Sequence, residues 1–247
     1  MLGEVSADMR LGIMQPYFYP YCGHFSLIAH TDRWIVFDVT QYTPKTWMNR
    51  NAVLHPSQGR NWVSVPLRNG SISIKTHEAR ILDVPAARQS ILGKLTHYKR
   101  HAPYYREVVG LVEDAFALPS GEDALVHLNV RALAGVCAYL DLPFQYSVCS
   151  ELGMVFPEDL GPGDWALHIC QHLGADRYLN PVGGRELFDV DKYREAGVDI
   201  AFLEAALPTY DTPGYTPMPG LSILDALMWN APSRLRRAIV EGAKIVT

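Results

Sequence analysis

Polar side chains follow several short apolar runs, which is the arrangement expected at the carboxyl ends of parallel strands. Gln15 follows one run, Asp38 ends a second, and Cys149 with Ser150 ends a third. Ligands of open parallel sheets bind at that edge. We therefore predict a small-molecule site in which Gln15, Asp38 and Asn51 share one cavity. The residues predicted to contact the substrate are Tyr19, Tyr21, Gln41, Asn49, Arg50, Asn51, Asn180, Gly183 and Gly184.

Gln15, His24, Asp38 and Cys149 are the candidate catalytic residues. Asp38 or His24 could remove a proton from an amine or hydroxyl nucleophile. Arg50 offers paired N–H donors that suit a carboxylate or phosphate. Structural roles are open alternatives: Asp38 could form a loop ion pair, and Arg50 could lie in a surface turn. Gln15 needs hydrogen-bond partners beside buried aromatic rings, and a substrate could be one of them.

Cysteine and histidine spacing gives weaker signals. Cys149 would need a histidine brought close by the fold to act as a nucleophile, and a buried structural cysteine is more common. His168 and His172 have the helical spacing of zinc proteases, but Ile169 stands where those enzymes have a glutamate. We therefore expect no metal site, and the sequence leaves the cofactor unspecified.

Composition narrows the class of protein. The chain has 247 residues, 48% of them hydrophobic and 19% charged, with a net charge of −4. This balance argues against a nucleic-acid binder, which needs cationic surface to neutralise phosphates. Four cysteines without a Cys-x-x-Cys pair favour reduced thiols and a cytoplasmic location. Residues 11–31 carry no lysine, arginine, aspartate or glutamate, but Pro16 and Pro20 argue against a membrane helix.

The pattern of elements predicts an α/β fold. A strand, loop, helix and strand within the first part of the chain form a βαβ unit, which implies a largely parallel sheet flanked by helices. Residues 1–9 are predicted to be a flexible tail, and residues 10–247 a single domain. Asn69-Gly70 between two alternating segments predicts a β-hairpin near residues 61–75. Further helices are predicted at residues 86–118 with a break near Pro103, 121–142, 164–173, 187–196 and 222–229.

Four helix-associated polar residues receive structural predictions. Asn129 lies within an apolar helical stripe and is expected to bond to backbone. Asp164 is predicted to cap the helix that ends before Gly174. Ser222 and Asp225 have the spacing of a capping box.

The stretch Gln15-Pro-Tyr-Phe-Tyr-Pro-Tyr-Cys-Gly-His-Phe-Ser-Leu-Ile28 resembles the start of WbqC-like family proteins. The resemblance continues at Asp38, Gln41, residues 47–51, 102–105, 178–184 and 221–225. It implies a bacterial biosynthetic protein of polysaccharide or natural-product assembly. The implied reaction is acyl or aminoacyl transfer, forming an amide on an amine or amino sugar. His24 and Cys22 depart from the family pattern, so the resemblance gives neither a catalytic role.

Three alternatives to that transferase stay open. Gly23-His24 after a first strand resembles the HIGH-type nucleotidylyl transferases, which hold ATP phosphates at a helix start. The upstream histidine of that motif is absent, since Tyr21 or Cys22 occupies its place. The chain could instead be a scaffold that presents an intermediate to a pathway enzyme, or a cysteine-dependent hydrolase or acyltransferase.

Overall fold

Short, mostly buried runs form the strands. The computed structural model describes residues 9–247, so all but the last residue of the predicted tail lies outside the described residues. The strands are β1 (Arg10–Met14), β2 (Arg33–Val36), β3 (Arg50–Leu54), β4 (Arg60–Ser64), β5 (Tyr146–Val148), β6 (Arg177–Pro181), β7 (Asp199–Ala205) and β8 (Ala243–Val246).

Six of these strands form one sheet in the order β5-β2-β1-β6-β7-β8. Every pairing in it is parallel except that of β7 with the terminal strand β8. The chain leaves β1 toward β2 on one side, and leaves β6 toward β7 on the other. The strand order therefore reverses between β1 and β6. The prediction of a largely parallel sheet is confirmed.

Helices cover both faces of the sheet. They are α1 (Cys22–Ala29), α2 (Val84–Leu95), α3 (Tyr105–Phe116), α4 (Leu125–Tyr139), α5 (Asp164–Leu173), α6 (Val190–Glu195), α7 (Ile223–Trp229) and α8 (Pro232–Glu241). None of the helices in the described part of the chain is long and apolar enough to cross a bilayer.

Alternation along the strands sends side chains into two separate hydrophobic clusters. In β2, Trp34 and Val36 join the larger cluster with α1, α2, α3, α4, α7 and α8, whereas Ile35 joins the smaller cluster with α5 and α6. A sheet covered on both faces explains why its central strands read as continuous apolar runs. This double burial is what made β1 and β2 recognisable from sequence.

A β-hairpin forms near the predicted position, but its strands are β3 and β4 and not the two segments that flank Asn69-Gly70. β4 pairs with β3, which precedes it, and residues 71–75 form no strand. Neither Asn69 nor Gly70 has the positive φ that the predicted hairpin turn requires. The Asn69 side chain instead bonds the backbone of Arg80 and Glu78. Ile72, which would anchor such a strand, is 62% exposed.

The helix ends agree with the predictions in part. Gly174 ends α5 with a φ of 65°, and Ser222 caps α7 through the Leu224 N–H, as predicted. Asp164 is the first residue of α5 and not its cap, because its carboxylate binds the Gly161 N–H and Lys192. The prediction of a capping box between Ser222 and Asp225 is wrong, because the Asp225 carboxylate accepts hydrogen bonds from two tyrosine hydroxyls instead.

Two glycines should respond oppositely to alanine. A Cβ on Gly135, inside α4, would meet only Leu111 Cδ2 at 3.9 Å, so Gly135→Ala should stabilise the protein by about 0.5–1 kcal/mol. Gly174→Ala should destabilise it by about 1 kcal/mol, because the left-handed conformation suits glycine. Urea unfolding of both variants measures the difference, and a shift of the same sign in both would contradict the assignment.

Candidate functional site

A cavity of about 550 Å³ opens beside the carboxyl ends of β1 and β6. We call it the strand-end cavity. It lies where the strand order reverses, which is the position that ligands occupy in open α/β sheets. Its walls are formed by Met14, Tyr17, Pro20, Tyr21, His24, Trp47, Asn51, Asn180, Pro181, Gly184, Leu187, Leu207 and Gly220.

The residues between β1 and α1, 15–21, form one wall of this cavity, and we call them the aromatic loop. The loop is held by a side chain from a distant helix. Asn129, fully buried on α4, donates from Nδ2 to the Pro16 carbonyl at 2.7 Å and to the Met48 carbonyl at 2.8 Å. The prediction that Asn129 bonds to backbone is confirmed.

Two further side chains bind the carbonyls in the middle of the aromatic loop. Asn51 Nδ2 donates to the Phe18 and Tyr19 carbonyls, at 3.2 and 2.9 Å. Ser222 Oγ donates to the same Tyr19 carbonyl at 2.7 Å. Tyr19 has a φ of 40°, an uncommon conformation for a residue with a side chain. The Asn51 side chain lines the cavity, and its Nδ2 also holds the loop that forms the cavity wall.

His24 has a buried nitrogen without a partner in this cavity wall. The residue is 3% exposed, and its Nε2 has no hydrogen-bond partner. Its ring packs near Trp34 and Tyr17, with centroid distances of 5.0 and 5.7 Å. Burial lowers the His24 pKa from 6.5 to about 3. The imidazole is therefore neutral near pH 7, and its Nε2 has an unused hydrogen-bonding position.

No aspartate, glutamate, lysine or arginine lines the strand-end cavity among the residues that the structure describes. Aromatic rings dominate its mouth, where the 43% exposed Trp47 stacks on Trp62 with the ring centroids 5.9 Å apart. Tyr17 and Tyr21 belong to the aromatic loop and line the same cavity. Such walls favour an uncharged group with a flat or apolar face.

Asn180 and Gly184 lie together on the β6 side of the cavity. Asn180 Oδ1 accepts from the Tyr178 hydroxyl at 2.9 Å, and its Nδ2 donates to the Pro181 carbonyl at 3.1 Å. A Cβ on Gly184 would stand 2.3 Å from that Nδ2. Glycine is therefore needed here to leave room for the Asn180 amide.

Gln15 lines an adjacent hollow of about 170 Å³ and not the strand-end cavity. Its amide has two long hydrogen bonds of 3.4 Å, one to Thr40 Oγ1 and one from the Tyr17 hydroxyl. Tyr17 lines both spaces. Gln15 can thus influence the cavity through Tyr17.

Asp38 is fully buried, and its carboxylate is occupied by Ser150. The Ser150 N–H binds Oδ1 at 2.9 Å, and the Ser150 hydroxyl binds Oδ2 at 2.6 Å. These bonds join the end of β2 to the turn after β5. The prediction that Gln15, Asp38 and Asn51 share one cavity is wrong, and Asp38 is not placed to act as a base there.

Cys149 lies beside Asp38 and is 1% exposed. Burial, assisted by the negative charge of Asp38, raises the pKa of its thiol to about 12. A protonated buried thiol is a poor nucleophile, so the geometry opposes the cysteine-dependent alternative.

Tyr19 and Asn49 are structural. Tyr19 is 1% exposed, and its hydroxyl donates to the Leu111 carbonyl at 3.1 Å. Asn49 Nδ2 donates to the Val65 carbonyl at 3.0 Å. Neither side chain lines the strand-end cavity.

Arg50, Gln41 and Gly183 also lie outside the cavity wall. The Arg50 guanidinium stacks over the Trp62 ring at 4.5 Å, so its role is to support the aromatic mouth. Gln41 is exposed and its amide donates to the Ile72 carbonyl. Of the predicted contact residues, the structure brings Tyr21, Asn51, Asn180 and Gly184 together with the catalytic candidate His24.

Sequence reasoning missed Leu207 and Gly220, which close the cavity from the segment between β7 and α7. Residues 206–222 contain no helix or strand. A stretch of this length, rich in proline, is a signal for a functional loop that could have been used.

No three potential metal-ligating side chains converge within residues 9–247. His168 Nε2 bonds the Val155 carbonyl at 3.0 Å.

Comparisons with known proteins identify the family of the chain. A model described as the WbqC-like protein family matches residues 15–237. The chain belongs to the WbqC-like family. It is 27% identical over 242 residues to the uncharacterized protein Rv1507c of Mycobacterium tuberculosis, covering 92% of this chain and 97% of that relative. No solved structure matches this WbqC-like chain.

Replacing Asn129 should loosen the aromatic loop. Asn129→Ala removes both donors from the Pro16 and Met48 carbonyls, and we expect a loss of about 2–4 kcal/mol in the free energy of unfolding. His127→Ala, on the same helix but exposed, should cost less than about 1 kcal/mol. Urea unfolding compares them, and equal losses would contradict the role of Asn129.

His24→Phe should remove a pH-dependent loss of stability. The unfolded chain binds a proton at His24 near pH 6.5 and the folded chain only near pH 3, so stability falls as pH drops between these values. We expect His24→Phe to reduce this fall by about 1.4 kcal/mol per pH unit. Urea unfolding from about pH 7 to about pH 4.5 measures it. Parallel curves for both proteins would show that His24 titrates normally.

Proposed function

We propose that this WbqC-like protein is a biosynthetic group transferase that forms an amide by moving an acyl or aminoacyl group onto an amine or amino sugar. The observation that supports this most is His24, a residue of the cavity wall whose Nε2 is buried without a hydrogen-bond partner, at the reversal of strand order. A buried donor or acceptor without a partner is costly, and a substrate atom would supply the partner.

The neutral imidazole suits the carbonyl of an acyl donor. In the tautomer that carries a proton on Nε2, His24 can donate to the carbonyl oxygen as negative charge develops on it. The acceptor nitrogen forms the new C–N bond while the bond between the carbonyl carbon and the leaving group breaks. The leaving group departs with the electron pair of that bond and takes up the proton that the nitrogen loses. A His24 pKa near 3 makes the residue a weak base, so its proposed role is to polarise the carbonyl.

The walls support an uncharged acyl group or sugar ring as the occupant. Tyr17, Tyr21 and Trp47 present aromatic faces, which pack against flat or apolar surfaces. The amides of Asn51 and Asn180 are engaged with protein groups. Among the described side chains of the wall, His24 is the one with a buried hydrogen-bonding atom that no protein group uses.

Nucleotidylyl transfer remains a competing function because of the fold. The parallel strands lie side by side in the order β5-β2-β1-β6-β7. If only these five strands are numbered along the chain, this order is 3-2-1-4-5, as in dinucleotide-binding sheets. The start of α1 also lies at the cavity. Against it, no lysine or arginine is among the described residues of the wall to bind phosphates, which makes acyl transfer the better-supported reaction.

The transferase is tested with a panel of acyl-coenzyme A thioesters and aminoacyl donors. A donor that occupies the cavity should raise the melting temperature by binding the folded state. Each such donor is then incubated with glucosamine, and the amide is detected by mass spectrometry. His24→Phe should lower the rate about 100-fold or more, as expected for loss of an oxyanion donor.

Tyr146→Phe is the matched control, because Tyr146 is exposed on the edge strand β5 and stacks on Phe144. It should retain the wild-type rate. An unchanged rate in His24→Phe would reject the role of His24. A melting shift with ATP and Mg²⁺, and none with any acyl or aminoacyl donor, would favour nucleotidylyl transfer, and no turnover with any donor would favour a scaffold.

A further inference from the structure

A second cavity of about 240 Å³ adjoins the strand-end cavity. The two share Tyr21, Leu207 and Gly220 as walls. Most of the second cavity is formed by residues 206–222, the long segment without helix or strand between β7 and α7. We call it the proline-walled hollow, after Pro208, Pro217 and Pro219 in its lining.

The wall of this hollow is poor in hydrogen-bond donors. Its three prolines have no backbone N–H but retain their carbonyls. The Thr212 hydroxyl donates to the Tyr215 carbonyl at 3.3 Å, so its proton is already used. No lysine or arginine lines the hollow in the described part of the chain. The hydroxyls of Tyr21 and Thr209 also line the hollow, so its wall is low in donors without lacking them, and an acceptor in this wall would suit a donor on the ligand.

Tyr210 adds a negatively polarised acceptor to the wall. Its hydroxyl donates to Asp225 Oδ2 at 2.7 Å, which leaves the phenolic oxygen free only to accept. Asp225 is 1% exposed, and its other oxygen accepts from the Tyr98 hydroxyl. Burial raises the Asp225 pKa above its usual value.

Asp225 has tyrosines as its partners where a buried carboxylate is usually paired with a cation. No salt bridge within residues 9–247 involves it. A cation brought to the Tyr210 oxygen would be stabilised by the carboxylate behind it, because charge-assisted hydrogen bonds polarise one another in a buried network.

We propose that the proline-walled hollow binds the primary amine of the acceptor, with the Tyr210 oxygen as its hydrogen-bond acceptor and Asp225 as the charge behind it. The proposal rests on the proposed function, because it assigns the acceptor of that transfer to a separate subsite. Tyr21 lies on the boundary and Cys22 lines the hollow, while His24 lines the strand-end cavity. The two cavities therefore meet at the first turn of α1, where an amine and a carbonyl could meet.

Calorimetric titration of the full chain with glucosamine tests the subsite. Glucose and N-acetylglucosamine serve as probes that lack the basic amine. We expect glucosamine to bind at least about tenfold more tightly than either, since the amine supplies a charged donor. Tyr210→Phe keeps the ring and removes the acceptor, and should weaken glucosamine binding about tenfold or more. Asp225→Asn should weaken it similarly by removing the charge.

Two further variants keep the test decisive if Asp225→Asn does not fold. Met218→Trp fills the hollow without touching Asp225 and should abolish glucosamine binding. Tyr146→Phe, on the distant edge strand, should leave the affinity unchanged. Equal affinity for glucosamine and glucose, or full affinity in Tyr210→Phe, would overturn the proposal.

The outcomes also separate this subsite from the proposed transfer reaction. Acyl-donor binding without a glucosamine site would reject the subsite alone. A glucosamine site that depends on Tyr210, in a protein that transfers no acyl group, would retain the subsite and reject the proposed function.

Discussion

The architecture of the candidate site depends on satisfying the backbone carbonyls of a buried loop. Asn129, Asn51 and Ser222 donate to carbonyls of the aromatic loop. The Ile223 N–H of α7 donates to the Pro20 carbonyl in the same way, and the loop's own Phe18 N–H donates to the Trp47 carbonyl. Buried backbone groups without partners are costly. The loop therefore keeps its shape only while α4, β3 and α7 are in place, and the cavity forms as a consequence of the whole fold.

The same burial that shapes the cavity determines the chemistry of His24. A histidine in water would titrate near pH 6.5, but among aromatic rings its charged form is disfavoured and its pKa falls to about 3. Its Nε2 then carries a cost in the free protein that a ligand atom can remove. Binding and stability are coupled at this one residue. The adjoining hollow has the opposite character, since the Tyr210 oxygen, backed by Asp225, offers an acceptor where His24 can offer a donor.

The sequence predicted the sheet because β1 and β2 are short apolar runs buried on both faces. The sequence also predicted the edge of the sheet at which the site lies, since the carboxyl ends of parallel strands share one edge. The partners of individual side chains could not be predicted. Asp38 looked available, but Ser150, distant along the chain, occupies both of its oxygens. Asn69-Gly70 suggested a hairpin, but tertiary bonds of Asn69 to Arg80 and Glu78 overrode the local turn preference.

The most direct test of the account is the nitrogen NMR spectrum of the His24 imidazole in the full chain, recorded across a pH titration and then with an acyl donor selected by melting shift. The account predicts a neutral ring that does not titrate above about pH 5, and a change in the Nε2 resonance when the donor binds, because that nitrogen gains its first hydrogen-bond partner. A normal titration near pH 6.5, or an Nε2 resonance unaffected by a donor that demonstrably binds, would contradict the claim that His24 receives the substrate in the strand-end cavity.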